Sequence, residues 1–329
     1  MKKILGIAVL LLVVVIATAV LSHDAVSGTN PFLSAYNLQN LCKRIGEFGI
    51  LSIAAAFVIV TGGIDLSIGS VVCVAGCILP WLLRDLGVPA LLAVPTVLLL
   101  TAAIGLWHGL LVVRLRLQPF VVTLCGLLLY RGLMRAFTGD QTMGLGTTGE
   151  GVRWLATGTL PLGDGFGLPV PLLVFVVVAA LTSFLWRRTV IGRHLFALGS
   201  NREAARFAGV ATDRLELLAY VACSLLAGLA GCLFVLDVNS AQASNFGNFY
   251  ELYAIAGAVL GGVALRGGEG LVLGVVLGAC LMQVLPNTIN LVAGSNQLEF
   301  AVVGAVILAG AAVDEIVRRW LARRRPGKA

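Results

Sequence analysis

The sequence predicts an all-α polytopic membrane protein with about ten transmembrane helices, both termini cytoplasmic, and two pseudo-repeated halves containing Gly-interrupted helices. Three observations carry this expectation. Hydrophobic residues make up 59% of the 329 and charged residues only 12%, against roughly 45–50% and about 25% in a soluble domain. The apolar residues fall into ten stretches divided by charged or turn-rich breaks. The basic residues then gather on one side of those stretches. A soluble fold of this length would have too little polar surface to cover its outside.

In chain order the ten stretches are roughly Ile4–Ser22, Gly46–Ile64, Leu66–Leu83, Val88–Val113, Leu117–Phe137, Leu168–Trp186, Leu215–Leu236, Leu252–Leu265, Leu271–Ala293 and Phe300–Val313. Most approach the ~20 residues that span a bilayer as a helix. The first follows Lys2 and Lys3 and has the outline of a signal peptide. It reads as an uncleaved span, because 19 apolar residues suffice to cross and the small-residue cleavage pattern is poor. Ten spans of about 20 residues use roughly 200, which leaves no polar stretch for a second domain. Residues 1–329 therefore read as one transmembrane domain. Glycine supplies 40 residues, above the usual ~7%, as expected where helix backbones must approach closely in lipid. GxxxG spacings at Gly105/Gly109, Gly257/Gly261 and Gly274/Gly278 fit that role.

Positive charge sets the orientation. With the N-terminus inside, 17 of the 23 Lys and Arg residues lie on cytoplasmic stretches, and six lie outside (Lys43, Arg44, Arg84, Arg131, Arg135 and Arg153). The net charge of +7 is mostly this signal and does not point to nucleic acid. Two connections are long. Residues 139–167, outside, are rich in Gly, Thr and turn residues and read as a surface loop. Residues 187–214, inside, are basic and hold a helical patch, Arg202-Glu203-Ala204-Ala205-Arg206, between Gly192, Gly199 and Gly209. Spacing alone leaves an inert connector and a docking element both open.

An internal echo joins two regions. Gly62-Gly63-Ile64-Asp65-Leu66-Ser67-Ile68-Gly69 and Gly267-Gly268-Glu269-Gly270-Leu271-Val272-Leu273-Gly274 share Gly-Gly-x-x-Leu-x-[Ile/Leu]-Gly with an acid inside, and Glu47 and Glu251 precede them at similar distances. Paired short or broken segments in two halves point to a transport site near the midplane, and tight helix crossing is the other reading. Transport is the reading taken. Candidate pathway residues are Gly62, Gly63, Asp65, Ser67, Glu47, Glu251, His108 and Asn287. Acids in lipid should face the bundle interior or a wet cavity. Proton relay and hydrogen bonding to backbone freed at a helix break both fit Asp65 and Glu251. His108 suits solute binding, titration or an interhelical hydrogen bond. Asn287 and Asn290, after Pro286, suit a helix end or a vestibule wall.

Several chemistries are excluded. Lysine occurs only at 2, 3, 43 and 328, so no Gly-x-x-x-x-Gly-Lys-[Ser/Thr] phosphate loop exists and the chain has no P-loop ATPase site of its own. There is no His-Glu-x-x-His and no Gly-x-Ser-x-Gly. Three dispersed histidines and seven cysteines in or beside apolar runs give no metal-ligand spacing, and no cofactor is expected. A transporter remains, either a subunit of a larger machine or an ion-coupled carrier or channel.

Three blocks resemble a known family. Thr61-Gly62-Gly63-Ile64-Asp65-Leu66-Ser67-Ile68-Gly69-Ser70 is similar to the signature of ribose-type permeases, the membrane subunits of bacterial ATP-binding cassette (ABC) sugar importers. So are Gly192-Arg193-His194-Leu195-Phe196-Ala197-Leu198-Gly199-Ser200-Asn201 followed by Ala204-Ala205-Arg206-Phe207-Ala208-Gly209-Val210, and Tyr250-Glu251-Leu252-Tyr253-Ala254-Ile255-Ala256 with the glycines that follow. The blocks stand in family order, and the resemblance covers nearly the whole chain. It implies a multi-pass permease of the bacterial plasma (inner) membrane, paired with a second permease copy or a paralogue. It also implies two cytoplasmic ATP-binding subunits as partners and an external, periplasmic sugar-binding protein that delivers solute. Gly192, Arg193, Gly199, Asn201, Glu203, Ala204, Ala205, Arg206 and Gly209 would form the ATPase-coupling loop. His108, where the family often has Asn, and Cys125 and Ser200, where it often has Gly, are departures. His108 and Cys125 lie in membrane segments and bear on the solute, not the fold.

Overall fold

The computed structural model describes residues 2–23, 29–163, 165–293, 297–306, 308 and 312. It is almost entirely helical. The elements are α1 (Lys2–Leu21), α2 (Ala35–Val60), α3 (Ile68–Pro80) continued by a π turn (Trp81–Asp85), α4 (Ala90–Arg114), α5 (Pro119–Thr138) and α6 (Glu150–Thr157). A short hairpin, β1 (Thr159–Gly163) and β2 (Phe166–Pro169), precedes α7 (Val170–Arg188). Then come α8 (Val190–Ser200), α9 (Arg202–Phe207), α10 (Thr212–Val238), α11 (Tyr250–Leu260) and α12 (Val272–Ala293), with α13 described over residues 299–306. The end of the tenth apolar stretch and the six basic residues of the C-terminal tail lie outside the described residues.

Among the described residues, seven helices are long and apolar enough to cross a membrane: α1, α3 with its π turn, α4, α5, α7, α10 and α12. α11 is apolar but has only 11 residues. The first nine apolar stretches each lie mostly on a helix, and the described part of the tenth, residues 300–306, is helical. α4, α5 and α7 turn residues such as Leu91, Leu128 and Leu181 outward, each well over half exposed. Such apolar outer faces are normal where the surrounding solvent is lipid.

α2 is the central element. It packs against α7, α10, α11 and α12, and every residue from Gly46 to Val60 is buried. A helix that is apolar all round belongs in a protein interior. It is longer than the apolar run, starting at Ala35. The Ser34 hydroxyl caps it, accepting from the Asn37 amide at 3.2 Å. Its first turns are polar, which is why an apolar-run criterion starts it late. The GxxxG stretches act as close-packing faces. A Cβ at Gly105 or Gly109 would meet the backbone of α10, and Gly261 and Gly278 bring α11 and α12 into backbone contact.

Two long connections carry more structure than their composition indicates. Residues 139–167, expected as a loop, contain α6 and most of the antiparallel hairpin, in which Leu160 pairs with Leu168. The 187–214 stretch holds the anticipated helix at 202–207, but α8 precedes it. The Thr189 hydroxyl caps α8, accepting from the Gly192 amide at 3.2 Å. Ion pairs mark opposite ends of the bundle: Lys43 with Asp237 at 2.8 Å, and Arg202 with Glu216 at 2.6 Å.

Candidate functional site

The predicted site residues fall on two helix breaks and one protruding turn. α2 ends at Thr61. Gly62, with φ +88°, donates to Ile59 O at 2.9 Å, and Gly63 donates to Val58 O at 3.1 Å. This is the Schellman arrangement, which needs a left-handed residue just past the cap and so favours glycine. α11 ends in the same way. Gly262, φ +89°, donates to Val259 O at 2.8 Å, and Val263 donates to Ala258 O at 3.1 Å. The counterpart of Gly62 by hydrogen bonding is thus Gly262, and not Gly267, the residue matched to it in the sequence. Gly267 and Gly268 instead meet the first break directly. Gly268 donates to Val60 O, the last carbonyl of α2, at 2.9 Å, and a Cβ at Gly267 would press on the Gly62 backbone.

The first break leads into α3, whose N-terminal amides are buried in the bundle and need acceptors. Asp65 supplies one. Its Oδ1 accepts from the Ser67 amide at 2.8 Å and from the Ser67 hydroxyl at 2.6 Å. Glu251, reaching over from α11, sets its carboxylate against Gly69, where no Cβ would fit. Two acids at a helix N-terminus complement its partial positive charge. His108 of α4 stands beside them. Its Nδ1 is 3.5 Å from the Ser67 hydroxyl, and its Nε2 is 2.8 Å from the Tyr130 hydroxyl on α5. The geometry joins the break to α4 and α5 by side-chain hydrogen bonds. Asp65, Ser67, His108 and Glu251 are all buried. The Asp65 Oδ2 and the Tyr220 hydroxyl of α10 are buried without a hydrogen-bond partner, and Tyr220 lies over Gly63. Among the described residues no cluster of His, Cys, Asp and Glu could hold a metal ion.

Tyr130 and Tyr220 were not singled out from the sequence. A tyrosine in an apolar helix gives no local sign of which distant polar group it meets.

Glu47 and Asn287 stand apart from this cluster. Glu47 is buried on α2, near the end marked by Lys43 and Asp237, with Oε1 unpartnered. Asn287 of α12 exchanges amide hydrogen bonds with Asn37 of α2, at 2.7 and 3.3 Å. The structure therefore brings the candidates into two groups at different depths of α2.

The protruding turn is α9. The Asn201 side chain caps it, accepting from the Ala204 amide at 2.9 Å. It closes with a third Schellman pair, Gly209 to Arg206 O and Val210 to Ala205 O, each at 3.0 Å. Only Ala205 of its six residues is buried, and Phe207 is 91% exposed. Arg193, Glu203 and Arg206 also face outward. Arg202 ties the turn to α10 through Glu216 and, at 3.2 Å, Asp213. α8, which carries α9, is seated by two glycines. Gly192 lies against the end of α7 at Leu185 and Trp186, and Gly199 lies against both Val60 O and the Gly268 amide. A single residue of α8 therefore touches the end of α2 and the loop that follows α11.

Comparison with known proteins shows which family the chain resembles. Residues 37–311 match a family described as "Branched-chain amino acid transport system / permease component". The ribose import permease protein of Escherichia coli K12 is 34% identical over 308 residues, 94% of this chain and 92% of the relative. That of Bacillus subtilis is 33% identical over 293 residues, covering 88% of each. The xylose transport system permease protein of Escherichia coli K12 is 28% identical over 344 aligned residues, 88% of this chain and 87% of the relative. No solved structure matches the chain. With seven helices able to cross a bilayer and most of its length matched, this chain is a multi-pass membrane protein that belongs to the family of transport-system permease components.

Proposed function

We propose that the chain is the membrane-spanning subunit of an ABC importer and forms the translocation pathway for a monosaccharide or a related neutral polyhydroxy solute. Its ribose and xylose permease relatives support the solute class. In this reading residues 1–329 form one permease domain of about ten spans in the bacterial inner membrane. The α9 end is cytoplasmic, in keeping with the excess of basic residues on that side. The partners are two ATP-binding subunits, an external solute-binding protein and a second permease copy.

The observation that carries the proposal is the seat of α8 and α9. A capped, outward-facing turn with an exposed Phe207 offers a knob for a cytoplasmic partner. Gly199 connects that knob by backbone contact to the end of α2 and to Gly268 in the loop that follows α11. A push on α9 by a closing ATPase would then reach the end of α2 and the loop after α11 together. Ligand-driven switching requires such differential contact between two states. The paired breaks near buried Asp65 and Glu251 would form the part of the pathway that rearranges.

The test is solute uptake into vesicles carrying the full complex. Removing the catalytic carboxylate of the partner ATPase should abolish uptake. Replacing Arg202–Phe207 with a Gly-Ser linker should prevent co-purification of the ATPase while the permease still purifies as a folded membrane protein. Uptake that persists without ATP and collapses with an ionophore would overturn the proposal in favour of an ion-coupled carrier.

A further inference from the structure

At the end of the bundle opposite α9, a cavity of about 270 Å³ lies between α2, α11, α12 and α13. It is separate from the Asp65 cluster. Its polar wall includes Asn40, Arg44, Gln283, Asn287, Asn290 and Glu299, and its apolar wall is aromatic, with Phe48, Tyr250 and Tyr253. At ~30 Å³ per molecule, it has room for about nine waters, or for one small solute and a few waters.

Three features show that the cavity is organised to receive something. Gln283, only 4% exposed, has an Nε2 with no hydrogen-bond partner. A buried amide donor left unpaired is costly, so this group requires an acceptor from the cavity. Asn287 is fixed in place by its reciprocal amide pair with Asn37. The aromatic wall is also preset: the Phe48 ring lies 4.8 Å from Tyr250 and 5.6 Å from Tyr253 between centroids, and the Tyr253 hydroxyl donates to Glu299 at 2.5 Å.

The chemistry of the wall selects the occupant. Amides offer donors and acceptors together, which matches hydroxyls, since each hydroxyl both donates and accepts. Aromatic faces suit the C–H face of a sugar ring. One Arg and one Glu leave the wall without net charge.

Building on the importer reading above, we propose that this cavity is a solute subsite of the permease, taking one monosaccharide-sized neutral polyol, with Gln283 as a donor to one of its oxygens. The solute would reach it from the side where an external binding protein docks.

The test uses the complete transporter with D-ribose, D-xylose and L-leucine as probes. Gln283→Leu keeps the side-chain size and removes the donor. It should raise the KM for the transported pentose about tenfold, the loss of one desolvated hydrogen bond, with ATPase co-purification unchanged. Asn290→Trp, on an exposed residue at the cavity wall, should obstruct entry and cut pentose uptake even where Gln283→Leu does not assemble. Unchanged pentose kinetics in an assembled Gln283→Leu transporter, or unchanged uptake by Asn290→Trp, would overturn the subsite and leave a water pocket. Uptake of L-leucine and neither pentose by the unaltered transporter would instead overturn the sugar reading itself.

Discussion

The two helix breaks start alike and end differently. α2 and α11 both stop in a Schellman turn around a left-handed glycine, Gly62 and Gly262. After the first, the chain re-enters the bundle at once. Asp65 is 2% exposed, and the amides opening α3 are met by acids from the break itself and from α11. After the second, the chain runs along the outside, where Arg266 and Glu269 form an exposed ion pair at 3.3 Å. Gly267 meets the backbone of Gly62 and Gly199, and Gly268 lies against Ser200. One device therefore ends both helices, and buried acids meet the chain where it restarts after the first. The second is free to serve as a strap across the first.

The strap is the place to break this comparison most severely. Gly199→Leu should abolish ATP-driven uptake, because its side chain has no room between Val60 and Gly268. Overpacking of this kind costs about 1–3 kcal/mol or more. Uptake measured alongside ATPase co-purification checks it, and wild-type transport in the variant would show that the contact transmits nothing.

A smaller effect separates the two restarts. Asp65→Ala leaves the Ser67 amide and hydroxyl without their acceptor, at about 1–3 kcal/mol for each stranded donor. The thermal midpoint in detergent should fall clearly. It should fall less for Asp65→Asn, which keeps an oxygen in place. Equal midpoints for Asp65→Ala and the unaltered chain would remove the acid from any capping role.

The smallest effect probes what the breaks share. With φ near +88° and +89°, Gly62→Ala and Gly262→Ala should each cost about 1–2 kcal/mol and shift the midpoint by similar amounts. A markedly unequal pair would mean that the two turns are not equivalent.

The apolar stretches were legible because burial in lipid writes itself into composition, and their described residues lie mostly on helices. The turn at α9 was legible because its glycines and alternating charges have a local logic. The polar start of α2 was not, since its Asn, Gln, Lys and Arg residues resemble a connecting segment until its partners are known. The matching of Gly62 with Gly267 followed a repeated dipeptide, whereas helix ends are defined by which amide meets which carbonyl. The Ser67–His108–Tyr130 connection spans three separate segments, and no spacing within one segment reveals it. The cavity at Gln283 was hidden for the same reason, although Asn287 pointed toward it.

α2 has a consequence for biogenesis. With Lys43, Arg44 and Glu47 on one stretch, it is a poor substrate for insertion into lipid on its own. The helices that enclose it, α7, α10, α11 and α12, all follow it in the chain. During synthesis the segment at the centre of the finished protein has none of these neighbours until translation passes residue 170. The order of assembly is then the reverse of the order of burial: the core is made early and completed last.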